Sequence, residues 1–303
     1  MTQKGHAVHV QAAVRTVHEV AQQQKIKFDT AIILADRSNL LVHLHPTPVV
    51  ARVATTTGTV RKGDAWLKRE IAVASHLTAA GAPVMPPSTV VSPGPYHHNG
   101  LVLSFWEFVR ELDKPVDPAT AGEALRECHE ALVDFDGELP VLDALSESEQ
   151  IFSQLCSERV FSPADAEMLQ QVNERLKIKF QQLDLPMQPV HGDSNPSNVL
   201  NTTRGILWGD WEDTFIAPIF WDIACFVASS RVFGKDVEQA DAAINGYGLN
   251  IDDEVLDLFI EARTFQTVLW NYIIGQQHPD SLQRFERRLQ WFRERKSKLI
   301  NNI

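Results

Sequence analysis

From Val190 to Asp213 the chain reads V-H-G-D-S-N-P-S-N-V-L-N-T-T-R-G-I-L-W-G-D-W-E-D, and no other stretch limits the fold as tightly. Apolar Val199-Leu200 and Ile206-Leu207-Trp208 flank the polar turn Asn201-Thr202-Thr203-Arg204-Gly205, which predicts two short strands closed by a hairpin. Such a hairpin ties two polar groups together. Asp193 and Asn198 fall on the loop that enters it, and Asp210 falls where the second strand leaves.

A carboxylate that orients a hydroxyl, with oxygen ligands that hold Mg²⁺ against nucleotide phosphates, is what phosphoryl transfer requires. Asp193, Asn198 and Asp210 offer that set, and H-x-D-x-x-x-x-N is the spacing of the protein-kinase catalytic loop. The other reading is a plain loop, since turns use Asp, Asn, Ser and Pro in any case. With D-W-E at 210–212 and W-D-I-A at 221–224, the chain resembles the aminoglycoside phosphotransferase family of small-molecule kinases. The resemblance covers about residues 30–275 and implies a two-lobed, protein-kinase-like α+β fold. Its small N-terminal lobe carries an antiparallel sheet and one key helix, and its larger C-terminal lobe is mostly helical. It implies ATP or GTP as co-substrate, Mg²⁺ held by Asn198 and Asp210, and Asp193 as the catalytic residue.

Composition narrows the partners. With 44% apolar residues in 303, the chain is that of an ordinary globular protein with room for two subdomains. No run approaches the ~18 apolar residues of a membrane span, and the start has no apolar leader, so a soluble, unprocessed, cytoplasmic protein is expected. Cys128, Cys156 and Cys225 are too few and too widely spaced for a disulfide framework or a zinc site. The net charge of −11 argues against nucleic acid. It is unevenly spread: residues 1–104 carry 10 basic and 5 acidic side chains, 105–280 carry 11 and 32, and 281–303 carry 7 and 2. An acidic middle either attracts a cationic substrate or is a solvated helix surface.

Residues 7–24 predict a weakly apolar helix. Ala31–Ala35, Leu40–Leu44 and Val49–Ala54 predict an antiparallel meander, and the absence of G-x-x-x-x-G-K-[ST] excludes a P-loop. In the resemblance the turn Asp36 to Asn39 takes the place of the kinase glycine-rich loop, with Ser38 near the phosphates. Arg52 interrupts V-V-A-R-V-A on one strand face and stands where kinases place a phosphate-binding lysine. Asp64 predicts the cap of a helix from Ala65 to about Ala80. Glu70 lies on that helix's apolar stripe with Leu67, Ile71, Ala74 and Leu77, so its carboxylate needs a buried partner, and Arg52 is the obvious one.

Further strands are expected at Thr89–Val91 and from Leu101 to Val109. The resemblance makes Glu107 and Val109 the backbone that reads adenine and places the lobe boundary after 109, with residues 110–303 carrying the catalytic loop and acceptor site. Helices are expected over Ala121–Phe135 and Ala164–Phe180, and an amphipathic closing helix over Leu282 to Lys298 with Leu282, Phe285, Leu289 and Phe292 as its stripe. The resemblance makes Asp222 a brace for the catalytic loop. The ten residues between Asp210 and Trp221 leave no space for a peptide platform, so the expected acceptor is a small molecule. The acids Asp252, Asp253, Glu254, Asp257 and Glu261 supply either a cationic acceptor pocket or a solvated face.

The expected activity is transfer of a phosphoryl group from ATP or GTP to a hydroxyl of a small, cationic, aminoglycoside-like molecule. The alternatives are a metabolic kinase for choline, homoserine or a sugar, and a nucleotide-binding protein without transfer activity. Three residues depart from the family pattern: Arg52 replaces Lys, Asn195 stands where His is frequent, and Gly209 precedes Asp210 in place of a β-branched residue.

Overall fold

The computed structural model describes residues 3–249 and 252–301. In chain order the elements are α1 (Gln3–Gln23), β1 (Thr30–Asp36), β2 (Asn39–His45), β3 (Val49–Ala54), α2 (Thr57–Val60), α3 (Ala65–Ala79), β4 (Tyr96–His98) and β5 (Leu101–Glu107). They continue with α4 (Pro118–Leu132), α5 (Asp143–Ser157), α6 (Pro163–Gln181), β6 (Gln188–Val190), β7 (Val199–Thr202), β8 (Gly205–Trp208) and β9 (Phe215–Ala217). The chain closes with α7 (Phe220–Phe233), α8 (Val237–Tyr247), α9 (Asp253–Gly275) and α10 (Asp280–Asn301). Two compact units emerge. One takes the chain up to Asp117 with Ala124–Gly137 and Ser197–Thr214; the other takes Pro118–Glu123, Glu138–Pro196 and the chain from Phe215 onward.

In the first unit a five-stranded antiparallel sheet runs in the order β1-β2-β3-β5-β4. Ala13, Val17, Val20 and Ala21 recur at helical spacing and pack on Leu40, Val42, Leu44, Val49, Ala51, Val53, Leu103 and Phe105. Each buried valine of that layer contributes about 1.5 kcal/mol or more. Because alternate strand residues face opposite sides, the side of β3 away from this core carries Val50, Arg52 and Ala54. α3 buries Trp66, Leu67, Glu70, Val73, Ala74 and Leu77, so Glu70 does lie on the apolar stripe.

Two local expectations are corrected. Asp64 stands at the N-terminal position of α3, yet its side chain caps nothing: its carboxylate is 2.9 Å from His97 Nε2 and 3.0 Å from Lys68 Nζ. Side-chain donors, the Lys68 ammonium among them, win over orphan backbone donors there. Thr89–Val91 forms no strand. Pro86 and Pro87 remove two backbone donors just before it, and the residues that precede it make only isolated bridges, Val84 with Trp208 and Pro87 with Trp106.

The second unit is mainly helical. Aromatic pairs knit its core, among them Phe180 with Phe259 at 4.9 Å, Phe215 with Trp221 at 5.4 Å and Phe152 with Phe265 at 5.7 Å. α9 buries Leu256, Phe259, Ile260, Ala262, Phe265, Val268 and Leu269, together with the charged Glu261 and Arg263. α10 buries Phe285, Leu289 and Phe292 of the expected stripe, whereas Leu282, in its first turn, is exposed. Among the described residues no helix is long and apolar enough to cross a membrane.

Candidate active site

β7 and β8 form the expected hairpin, closed by the two-residue turn Thr203-Arg204, with Gly205 at φ +98° where a side chain would be strained. Gly209 follows, and its N–H donates to Asn198 O at 2.8 Å, which fastens the residue before Asp210 to Asn198. A Cβ on Gly209 would lie 3.2 Å from Met85 Cγ, so the departure from a β-branched residue here accommodates Met85. Asp210 has φ +65° and begins the short turn Trp211–Asp213.

Arg52 is the centre of the first unit's polar cluster. Its Nη1 donates to Glu70 Oε2 at 2.5 Å, and its Nη2 donates to Glu212 Oε2 at 2.7 Å and to Asp210 Oδ1. Three elements thereby converge on one guanidinium: β3, α3 and the turn after β8. Burial alone would depress the arginine's pKa, but the carboxylates of Glu212, Glu70 and Asp210 hold it above its ordinary value. For Glu70, burial dominates and pushes the carboxyl well above the usual range; Arg52 opposes this, while Asp210, Glu212 and Asp213 add to it.

Glu212 was not singled out by the sequence reading. It also approaches Thr57 Oγ1 at 3.4 Å and Arg61 Nη1 at 3.8 Å, and Arg69 donates to its main-chain oxygen at 2.8 Å. Asp213 pairs with Arg61. The signal available was the D-W-E-D run itself, whose second acid sits two residues from Asp210 and so turns to the same buried cation.

The other nucleotide-side expectations are placed as follows. Ser38 lies in the turn between β1 and β2, and its carbonyl accepts from Thr56 N at 2.9 Å, Thr57 N at 3.3 Å and Thr55 Oγ1 at 3.2 Å. The turn is thus pinned to the residues that lead into α2. Glu107 spends its N–H on Pro86 O at 3.0 Å and its carboxylate on Arg204 of the β7–β8 turn. Val109 is buried, and its main chain has no hydrogen-bond partner among the described residues.

In the second unit Asp222 organises the loop that carries Asp193. Its Oδ2 accepts from His191 N at 2.6 Å and its Oδ1 from Gly192 N at 2.9 Å, while Ser194 Oγ donates to its carbonyl at 2.8 Å. Trp221 Nε1 donates to Gly192 O at 2.9 Å. Wholly buried and tied to two backbone donors, Asp222 fixes the loop on both sides of Gly192. Asp193 is half-buried, and Arg263 from the middle of α9 donates to its Oδ1. Arg263 also escaped the sequence reading. Its signal was a lone cation among Phe259, Ile260, Ala262 and Phe265.

Three of the five acids expected to attract a cation or to form a solvated face have structural partners. Asp257 binds Arg295 at 2.5 Å, Glu261 binds Arg175 at 2.5 Å, and Asp252 caps α9 by accepting from Glu254 N at 2.9 Å and Val255 N at 3.3 Å. These three serve as two ion pairs and a helix cap.

Asn198 and Asp210 present amide and carboxylate oxygens, the hard donors that suit Mg²⁺. Among the described residues no group of three or more His, Cys, Asp or Glu is placed to hold a metal.

The model of the phosphotransferase enzyme family matches residues 30–259. Among curated proteins none matches the sequence. Solved structures with the same fold include an amicoumacin kinase in complex with AMP-PNP, Ca²⁺ and Ami, 14% identical, covering 95% of this chain and 96% of its own with a TM-score of 0.70. The GDP and kanamycin complex of APH(2")-IIia is 15% identical and covers 93% and 98% with a TM-score of 0.66. The choline kinase LicA from Streptococcus pneumoniae is 12% identical and covers 91% and 98% with a TM-score of 0.65.

Proposed function

The chain belongs to the phosphotransferase enzyme family, and on that premise we propose that it transfers the terminal phosphoryl group of ATP or GTP to a hydroxyl of a small molecule. The observation that carries the reading is Arg52, whose guanidinium joins Glu70 on α3 to Asp210 after β8. A strand cation paired to a helix glutamate is the arrangement that kinases use to hold nucleotide phosphates.

In this reading Asp193 accepts a hydrogen bond from the acceptor hydroxyl, aims its oxygen at the phosphorus and takes its proton as the new bond forms. Asp222 keeps the loop of Asp193 in place through His191 N and Gly192 N. Arg52, fixed by Glu70, steadies the phosphates, with Ser38 and its turn beside them, and the backbone at Glu107 and Val109 receives the adenine edge. Asn198 and Asp210 would hold Mg²⁺, which when bound supplies positive charge against the phosphate oxygens. Most of the rate then comes from positioning and fixed charge. Residues 1–109 form the nucleotide-binding lobe, residues 110–303 carry the catalytic loop and acceptor site, and the setting is cytoplasmic.

Two acceptor classes remain inside this reading: a cationic, aminoglycoside-like antibiotic, and a metabolite such as choline, homoserine or a sugar. A nucleotide-binding protein without transfer activity is opposed by the intact set Asp193, Asn198 and Asp210. The test is release of nucleoside diphosphate with Mg²⁺ and ATP or GTP across a panel of such acceptors. Asp193→Asn is expected to leave nucleotide binding unchanged and to lower acceptor-dependent turnover by about 10²-fold or more. Equal turnover in that variant refutes the assignment.

A further inference from the structure

The loop of Asp193 is anchored through its main chain, and main-chain anchors do not orient a side chain. Asp222 accepts from His191 N and Gly192 N, Trp221 Nε1 donates to Gly192 O at 2.9 Å, and Ser194 Oγ donates to the Asp222 carbonyl at 2.8 Å. These bonds, made with the first turn of α7, fix where the Cα of Asp193 sits. They leave its χ1 and χ2 undetermined, and a carboxylate that must meet one hydroxyl from one direction needs both set. A bond to the carboxylate itself comes from a different element: Arg263, midway along α9, donates through Nη2 to Asp193 Oδ1.

The arginine is held as firmly as the acid it meets. Its Nη1 donates at 2.5 Å to Oε1 of Gln266, a buried residue almost one turn further along the same helix. With its two Nη groups on separate acceptors, the planar fork cannot rotate without breaking one of the bonds. The Arg263 side chain is 10% exposed and that of Asp193 22%, so the acid is the partner that a solute reaches more readily. Because a carboxylate is planar, holding Oδ1 also fixes the direction in which Oδ2 points.

We propose that Arg263 is a positioning residue for the transfer: it clamps Oδ1 of Asp193 so that Oδ2 meets the acceptor hydroxyl. This rests on the reading of Asp193 as the group that takes the hydroxyl proton. In the step itself the proton passes to Oδ2 while the acceptor oxygen bonds to the terminal phosphorus. The bond from that phosphorus to the bridging oxygen breaks, and its electron pair leaves on the nucleoside diphosphate. Arg263 gives and takes nothing; its contribution is that Asp193 is already aimed when the hydroxyl arrives. A pair that served only to join α9 to the loop would change stability and leave turnover per folded molecule as it was.

Acceptor-dependent release of nucleoside diphosphate is compared for the wild type, Arg263→Met, Arg263→Lys, Gln266→Leu, Asp193→Asn and the double variant of Arg263→Met with Asp193→Asn, with the folded fraction of each measured by thermal unfolding. Arg263→Met should lower kcat by about tenfold to a hundredfold and leave the KM for nucleotide unchanged, since a misplacement of about 1 Å costs that much. Arg263→Lys keeps the charge without the fork and should recover part of the loss. Gln266→Leu, which releases Nη1 alone, should fall between wild type and Arg263→Met. In the Asp193→Asn background the loss of Arg263 should cost almost nothing more, because no base remains to be aimed. An unchanged kcat in Arg263→Met, or losses that multiply in the double variant, overturns the proposal. Crystal structures of the wild type and Arg263→Met give a readout without turnover: the Asp193 carboxylate should occupy one rotamer in the first and several in the second. The same single rotamer in both overturns the clamp whether or not an acceptor is found. Scattered rotamers with no acceptor-dependent release across the panel uphold the clamp and refute the kinase reading, whereas release unmoved by Arg263→Met does the reverse. Should Arg263→Met fail to fold, Arg263→Lys and Gln266→Leu carry the same comparison.

Discussion

Replacing Arg52 by methionine keeps the side-chain length and removes the guanidinium from three carboxylates that stay behind. The side chains of Glu70 and Glu212 are 1% and 7% exposed, and that of Asp210 is 29% exposed. Breaking a buried ion pair by deleting one partner costs about 3–5 kcal/mol, because the remaining charge is left without compensation. Two features set the value within that range. Asp210 reaches water and loses little, and Glu212 retains Thr57, Arg61 and the bond from Arg69 to its carbonyl. Glu70 has nothing comparable, but burial already holds its carboxyl well above the usual range, with Arg52 alone among its strong neighbours pulling the other way. Without Arg52 it takes up a proton, which limits the penalty. A loss of about 3–4 kcal/mol follows, and at about 2–4 °C per kcal/mol for a chain of this size the midpoint should fall by about 6–16 °C. Urea and thermal unfolding of the wild type, Arg52→Met, Glu70→Gln and the double variant measure it. The double variant should lie less than the sum of the singles below the wild type, since a neutral Gln needs no cation. A loss under about 1 kcal/mol for Arg52→Met, or strict additivity, would refute the claim that the buried pair is a single unit.

Two further perturbations test the second unit. Arg293 binds Asp165 in a fork, Nε to Oδ1 and Nη2 to Oδ2 at 2.8 Å each, and the bonds from Arg293 come first among the causes that lower the Asp165 pKa. A depressed carboxylate contributes its stability above the unfolded pKa of about 3.9 and loses it as pH falls through the lower folded value. Discounting for the partly solvated arginine, Asp165→Asn should cost about 1–2 kcal/mol near neutral pH and little at pH ~2, so a pH-independent difference in unfolding free energy refutes the pairing. Gly246 on α8 lets backbones touch, since a Cβ there would lie 2.0 Å from Ala119 O in the first turn of α4. Gly246→Ala should therefore destabilise by about 1–3 kcal/mol by overpacking, and a gain in helix stability on denaturant unfolding would contradict that approach.

What the sequence made legible is what short-range chemistry decides. The hairpin from Val199 to Trp208 is written in adjacent residues, two apolar pairs around a polar turn, and no distant partner can displace that pattern. The Arg52–Glu70 pair was readable for a related reason: each residue breaks an apolar periodicity, one on β3 and one on α3, and a buried charge demands its opposite. The same argument applied to Arg263 would have asked which acid meets a cation among the buried apolar residues of α9; the answer, Asp193, lies 70 residues away, beyond any local pattern. Asp64 shows the converse failure. Its position promised a helix cap, but His97 and Lys68 offer a carboxylate stronger hydrogen bonds than a backbone N–H does.

The acidic middle of the chain teaches the sharpest version of this point. Counting charge along residues 105–280 suggests an electrostatic invitation to cations. The count weighs an acid on a solvated helix and an acid bonded to arginine equally, although only the first projects a field into solvent. Asp257, Glu261 and Asp165 are each matched by an arginine, two of them from the basic last helix that the tally by segment had set apart. Among the described residues, the buried guanidinium of Arg288 has neutral partners, Asn271 and Ser229. A charge out of water acts through a lower dielectric than an exposed one, so a tally of charge along a segment is a poor guide to the field at a buried group.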